Sequence, residues 1–381
     1  MSASDWALYA RHASTLERIA EIDDFVALEV VLRFNAAGSW RLEIPAGSPA
    51  AAFLTILDHT DGFEAVRSDG TTISGPLTVV ERTWSAGADR LSIEGVTDDI
   101  WLRRRLAYPE APALTTATSE HDVRTGAASA VLRAYVENNA GPSADLTRRV
   151  SGLTCDPDPG IGSTITGRAR FQPLDELLQG LAVAGGDIGF RIVQVGTALR
   201  FQVYEPTDRT ASATFSEELG NLRELSYRLK CSDANFVVVA GGGEGTARTF
   251  VSGGDEAQIE DHGRIEVFKD RRDTSDATEL AQEREQTLDE LGLRTALSLT
   301  PIDTGGLAFG TDYELGDKIS VVIDDTIIQD KVREVRIVLS SDGELVVPAV
   351  GTPSERDPRV PEFLRRLFAA ESRIQDLERR R

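Results

Sequence analysis

The chain has 381 residues and a formal net charge of −21, from 62 acidic and 41 basic residues, and 41% of it is hydrophobic. That length suits two or three domains, and the apolar content is enough to bury real cores, which excludes a disordered acidic tail. The acid excess weighs against a duplex-DNA binder with a basic face and against docking on an anionic membrane.

The first hundred residues read as antiparallel β. From Phe25 to Phe34, the residues Val26, Leu28, Val30, Leu32 and Phe34 share one face, while Glu29 and Arg33 take the other. Period two marks a half-buried strand. Asn35 to Ser39 is turn chemistry. Trp40, Leu42 and Ile44 then alternate with Arg41 and Glu43 until Pro45 ends the ladder. Further strands are expected at Leu77–Thr83 and Leu91–Gly95, around the turn Ser85 to Asp89.

The middle third changes character. Val123, Ala127, Ala130, Val131, Ala134 and Tyr135 recur at helical steps and predict a helix over His121–Asn138, with Asp122 near its start. Leu174, Leu177, Leu178 and Leu181 predict a second helix over Pro173–Ala184, followed by a hairpin of Ile188–Val193 and Leu199–Tyr204. A helix followed by a hairpin makes a small α+β unit.

The last third returns to β. A strand at Asn235–Val239 leads into Gly241–Gly245. A helix at Asp276–Leu291 is expected, with Thr274 or Ser275 as N-cap and Gly292 just past its end. Strands follow at Ala296–Thr300, Lys318–Ile323, Lys331–Leu339 and Leu345–Val350. Beyond the charged linker Pro353–Pro361, Phe363, Leu367, Ala370, Ile374 and Leu377 are spaced four, three, four, three, an a/d seam with charged flanks. Two heptads do not hold alone, so this coiled-coil helix must extend or be seeded by an assembled body.

The chemistry-bearing patterns are weak. Cys155 and Cys231 read as idle thiols rather than a disulfide, although pairing stays open. The four histidines, His12, His59, His121 and His262, form no metal spacing. Gly241–Gly245 fails the dinucleotide and P-loop spacings and reads as a turn. Cys155 to Gly160 lacks the ligand series of a calcium loop. Glu120-His121-Asp122 reads as a helix N-terminus, and Glu260-Asp261 and Asp270–Asp273 as solvated loop charge. No nucleophile elbow appears. No signal peptide or apolar run of membrane-spanning length is visible, so synthesis in a cytoplasm is expected. No enzyme activity, cofactor or metal is expected.

Several segments, in order, resemble the baseplate hub proteins of long-tailed siphophages, also called tail-associated or minor tail proteins, mostly of actinobacterial phages. They are Ile22-Asp23-Asp24-Phe25 through Gly38-Ser39-Trp40, Ser74-Gly75-Pro76-Leu77-Thr78, Ile93 to Pro109, Phe215 to Leu222, Gly241–Gly245 and Tyr313 to Ile319. The resemblance spans about residues 5–352 and implies a mainly β fold with an α+β insertion. The expected division is an N-terminal hub-type β-barrel at 1–110, an inserted helix–hairpin domain at 111–214, a second β-rich hub domain at 215–352 and a linker with the C-terminal helix at 353–381. It implies a homotrimer in the virion tail tip whose barrels mimic a sixfold tube, with the C-terminal seam as trimer stem. Its partners would be the distal tail protein ring, the tape measure protein C-terminus and a central tip or fibre protein, with DNA passing through the channel without specific binding. Val79-Val80-Glu81-Arg82 and Val332 to Arg336 offer a faint internal echo. The alternative is a cell-wall-binding or wall-degrading tail-tip protein, whose buried acid/base pair or clustered aromatics the sequence does not display. Any wall-cleaving activity would then belong to another chain.

Overall fold

The alternation over residues 25–45 folds into a hairpin, and the strands beside it extend that hairpin into a large sheet. The computed structural model describes residues 6–54, 61–85, 88–110, 119–292, 294–301, 307–324, 326–341 and 343–351. The first region holds β1 (Trp6–His12), β2 (Arg18–Glu21), β3 (Ala27–Arg33), β4 (Ala36–Pro45), β5 (Asp61–Arg67), β6 (Thr72–Ser85), β7 (Ala88–Val96) and the short α1 (Ile100–Arg103). The middle holds β8 (Asp122–Ala127), α2 (Ala128–Asn139), β9 (Leu153–Cys155), β10 (Thr164–Ala169), α3 (Leu174–Ala184), β11 (Gly189–Val195) and β12 (Ala198–Tyr204). The last region holds β13 (Thr214–Ser216), β14 (Leu222–Lys230), β15 (Phe236–Ala240), β16 (Phe250–Gly254), α4 (Glu256–His262), β17 (Glu266–Asp270), α5 (Ala277–Leu291), β18 (Arg294–Pro301), β19 (Lys318–Ile323), β20 (Thr326–Ser340) and β21 (Gly343–Gly351).

One sheet of 13 strands follows the order β14-β18-β21-β20-β3-β4-β7-β6-β5-β1-β2, with β19 attached to β20 and β13 to β19. The fold is mainly β, but two separate barrels are not what forms. Among the described residues no barrel closes, because β3 of the first region pairs antiparallel with β20 of the last over seven residue pairs. The two regions therefore share one core, which includes Leu28, Trp40, Phe63, Phe215, Leu299 and Ile337. The middle region has its own core under α2 and α3, around Leu132, Tyr135, Leu178 and Phe201. A third, small core of Val237, Val239 and Leu280 lies between α5 and the β16-β15-β17 sheet.

Other expectations need correction. The helix read over His121–Asn138 is half strand: Asp122–Ala127 is β8, paired along its length with β10, and only Ala128–Asn139 is helical. Val123 and Thr125 are β-branched and Gly126 is a poor helix former, so the sheet wins there despite the apolar spacing. Glu120-His121-Asp122 therefore leads into a strand, with Asp122 its first residue. The N-cap of α5 is Asp276, whose carboxylate accepts from the Thr278 and Glu279 amides, in place of Thr274 or Ser275. The β3–β4 turn is only Phe34-Asn35, with Asn35 at φ +55°, and Ala36–Ser39 already belongs to β4. Glu260 and Asp261 lie on α4 and not in a loop. α3 forms as expected, with Leu174, Leu178 and Leu181 buried. The C-terminal seam of Phe363, Leu367, Ala370, Ile374 and Leu377 and its linker lie outside the described residues.

Candidate assembly interface

The large sheet contains a repeat. β6 leaves β5 after Pro76 and continues beside β7, with a bulge between Leu77 and Val79. β20 leaves β19 after Lys331 and continues beside β21, with a bulge between Val332 and Glu334. The hairpins match pair for pair. Leu77–Gly95, Val79–Glu94 and Ser85–Ala88 in the first correspond to Val332–Val350, Glu334–Ala349 and Ser340–Gly343 in the second. β4 and then β3 follow β7 outward, and β18 and then β14 follow β21 in the same way. The sheet is thus two four-stranded halves, β3-β4-β7-β6 and β14-β18-β21-β20, joined where β20 meets β3.

That junction leaves two edges. Among the described residues, β14 pairs only with β18, and β6 beyond Pro76 pairs only with β7. Both edges expose large aromatic side chains: Trp84 on β6 is 74% exposed and Tyr227 on β14 is 57% exposed. Their counterparts at the internal junction, Leu339 and Val30, are 0% and 1% exposed. A row of unpaired backbone groups with exposed apolar side chains is a template for strand addition.

The face away from the core carries matched charges across four strands. Arg41 reaches Glu43 at 3.3 Å and Glu94 at 3.7 Å, Arg336 reaches Glu29 at 2.6 Å, and Arg33 reaches Glu334 at 2.9 Å.

The middle region is fastened to the first half by a buried polar cluster. The fully buried Arg11 of β1 donates to Asp98 at 2.7 Å and to the Gln194 side-chain oxygen of β11. Asp98 also accepts from Ser74 at 2.6 Å and from the Trp101 indole at 3.0 Å. Neighbouring Asp99 accepts from the Ile192 amide at 2.7 Å and from the Thr97 hydroxyl at 3.0 Å. Burial pushes the Asp99 carboxyl up to about 6, against those two hydrogen bonds. Asn35 completes the fastening, donating to the Ile188 carbonyl at 2.9 Å and accepting from the Phe190 amide at 2.7 Å. A cavity of about 390 Å³ beside this cluster is lined by Asp99, Phe190, Tyr204 and Leu315 among others. A second, of about 480 Å³, lies between α3 and α5. Its arginines already face carboxylates, Arg168 with Glu279, Arg170 with Glu120, and Arg271 with Asp273 and Glu283.

The sequence candidates fall apart in space. Cys155 and Cys231 are free, and burial pushes the Cys155 thiol up to about 12. Gly241–Gly245 is a turn leaving β15, and the Gly242 amide donates to the Thr274 carbonyl at the start of α5. Asp158 accepts from Ser129 in the first turn of α2. Asp270 is paired with Arg248 and Arg272, and Asp273 with Arg271, so these carboxylates are more than solvated loop charge. The edge aromatics and the Arg11 cluster escaped the sequence reading. Trp84 had a signal, an aromatic next to a polar hairpin turn where a core residue is not needed. Arg11 and Asp98 had none, because their partnership depends on three separate strands meeting.

The fold is shared with phage tail proteins. The 43 kDa tail protein of prophage MuSo2 from Shewanella oneidensis aligns with TM-score 0.58 at 11% identity, over 90% of this chain and 98% of that one. A tail protein from Neisseria meningitidis MC58 aligns with TM-score 0.56 at 14% identity, over 91% and 96%. The prophage tail protein gp18 of Listeria monocytogenes EGD-e aligns with TM-score 0.53 at 9% identity, over 96% and 98%. No curated protein matches the sequence. The family described as siphovirus ReqiPepy6 Gp37-like protein matches residues 9–352, and the chain belongs to it.

Proposed function

We propose that the chain is a structural hub of the phage tail tip, three copies of which form a ring that closes the tail tube. Its family and its fold support a place in the virion tail. The observation that carries the ring is the open, eight-stranded antiparallel part of the large sheet, from β14 to β6, packed on a core on one face and polar on the other. The polar face suits a channel wall. Arg33, Arg41 and Arg336 on it already face carboxylates, so they are not free to replace the counterions of a passing phosphate backbone, and DNA slides through without specific binding.

In this reading the ring bridges the distal tail protein ring to a central tip or fibre and receives the tape measure protein C-terminus. Residues 1–110 and 215–352 supply the two hub portions, 111–214 the insertion, and 353–381 the linker and stem. Phe363, Leu367, Ala370, Ile374 and Leu377 from three chains would form one parallel seam on the ring axis, brought together at high effective concentration by the body. The chain has no catalytic role. Counting its copies in assembled tails, by cryo-electron microscopy or quantitative mass measurement, tests the reading. Three per tail is expected, and one or two would overturn it. Release of peptidoglycan fragments by the purified chain would favour the wall-degrading alternative.

A further inference from the structure

We infer that Arg104, Arg105, Arg148 and Arg149 form a binding site for a phosphate ester. The site stands apart from the ring reading above. It is built on the end of α1 and on the loop after α2, and not on the sheet face that carries Arg33, Arg41 and Arg336.

Charge comes first. In this chain of formal net charge −21, arginines typically face a carboxylate, as Arg11 faces Asp98, Arg168 faces Glu279 and Arg336 faces Glu29. Among the described residues these four do not. Their hydrogen bonds go to neutral oxygens instead. Arg105 donates to the Arg148 carbonyl at 2.5 Å and to the Arg104 carbonyl at 3.0 Å. Arg148 donates to the Asn139 side-chain oxygen at 3.2 Å and to the Leu106 carbonyl. Arg149 donates to the Ala144 carbonyl at 2.9 Å. Asp145, on the same loop, turns one oxygen to the Thr147 amide at 2.9 Å and hydroxyl at 2.7 Å. Burial holds Arg104, Arg105 and Arg148 below the usual guanidinium range, and the neighbouring arginine adds to this at Arg105 and Arg148. Like charges gathered in a partly dry place favour an anion.

The fold holds the donors in place. Arg148 lies 3.4 Å over the Tyr108 ring, and Arg104 lies 5.0 Å over Trp101. Tyr108 packs edge-on against Phe171 at 5.8 Å. Phe171 has φ +63°, a left-handed conformation that is unfavourable for a bulky side chain.

Donor number selects the anion. A guanidinium carries five N–H donors. Arg105 and Arg148 each use two, so three remain on each. That is more than the two oxygens of one carboxylate can serve. A phosphate group brings more charge and three strong acceptor oxygens. Leu106, Leu146 and Phe171 stand exposed around the cluster. They give the carbon body of an ester an apolar border that a bare ion would not use.

The experiment titrates the purified full chain calorimetrically at low salt. Glycerol 3-phosphate should bind at one site, and inorganic phosphate more weakly. Poly(glycerol phosphate) at least tenfold tighter than glycerol 3-phosphate would identify a polymer as the source, and equal affinity a free ester. Arg105→Gln with Arg148→Gln should weaken binding at least tenfold. Both side chains also brace backbone carbonyls, so Arg104→Glu is the second variant. It should weaken binding with the melting temperature unchanged, while Arg223→Glu, on exposed β14 surface, should leave both as they are. Absence of binding by either ester, or binding that Arg104→Glu leaves intact, would overturn the site. Inorganic phosphate as tight as glycerol 3-phosphate would overturn the ester assignment. Polyglutamate as tight as poly(glycerol phosphate) would show a surface for acidic protein and also overturn it. None of these outcomes depends on the number of copies in the tail.

Discussion

In the first half of the sheet Trp40 lies against Gly95, and at the same register position in the second half Leu297 lies against Val350. A very large side chain over none has become two of medium size, and all three side chains are buried. The halves therefore keep a common backbone ladder and solve its packing differently. They also accept insertions at different places. Between β3 and β4 the first half has a two-residue turn, whereas between β14 and β18 the second half holds β15, β16, β17, α4 and α5. The first half continues past Val96 into Asp98 and Asp99, which hold the middle region through Arg11, Gln194 and Ile192, while the second half reaches the same region through Lys331 of β20, paired with Asp187. A repeat can hold its register while its fillings, insertions and attachments diverge, because register is fixed by backbone bonds and side-chain parity and not by residue identity.

The largest expected effect breaks the buried fastening of the first half to the middle region, where the second half uses the partly exposed pair of Lys331 with Asp187. Arg11→Met removes the cation facing Asp98 and leaves a buried carboxylate held by Ser74 and Trp101 alone. Stranding one member of a buried ion pair costs about 3–5 kcal/mol. Thermal or denaturant unfolding should show a loss of that order, and a change below about 1 kcal/mol would mean that the cluster is not a fastening. A surface pair of the second half, Lys269 with Glu290 at 3.8 Å, should by contrast be nearly silent when Lys269 is replaced.

A second experiment exchanges the fillings. A Cβ at Gly95 would stand 2.2 Å from the Trp40 ring and 2.5 Å from the Pro76 carbonyl oxygen. Gly95→Ala should cost about 1–3 kcal/mol by overpacking. Adding Trp40→Leu, the residue the second half uses, should cost less than the two single losses summed, because the smaller side chain relieves the overlap with the new Cβ while its cavity and the clash with Pro76 remain. A double variant no better than the sum of the singles would show that Trp40 and Gly95 are not coupled.

How much of this was legible follows from which bonds are local. β3, β4, α3 and α5 could be read because each buries one face with its own period. Asp122–Ala127 could not, because its strand state depends on β10, about 40 residues away. The echo between Val79–Arg82 and Val332–Arg336 lay on the right strands but two residues out of register, since Val79 corresponds to Glu334. Joining of the two β-regions into one sheet was invisible, because nothing local in β3 or β20 announces that they pair. The candidate interface was hidden for the same reason. An edge exists only once all other pairings are known.

The smallest effect probes the junction of the first half with the middle region through pH. Asp99 is half-buried, on the lining of the cavity beside the cluster, and burial raises its carboxyl to about 6. An unfolded aspartate titrates near 3.9. Between those values the folded chain holds a proton that the unfolded chain has released, so folding gains stability as pH falls through 6 and loses it as pH rises. From pH 7.5 to pH 5 this amounts to about 1 kcal/mol in favour of the folded state. Asp99→Asn keeps an oxygen for the Ile192 amide and removes the titration. Its stability should change less between pH 7.5 and 5 than that of the natural chain, and the difference between the two should be greatest at the higher pH, where the natural chain must hold a half-buried charge. Parallel pH curves for the two chains would show that Asp99 is solvated in solution. The hydrogen bond of the Ile192 amide to Asp99 would then stand open to solvent at the junction of the middle region with the first half of the sheet.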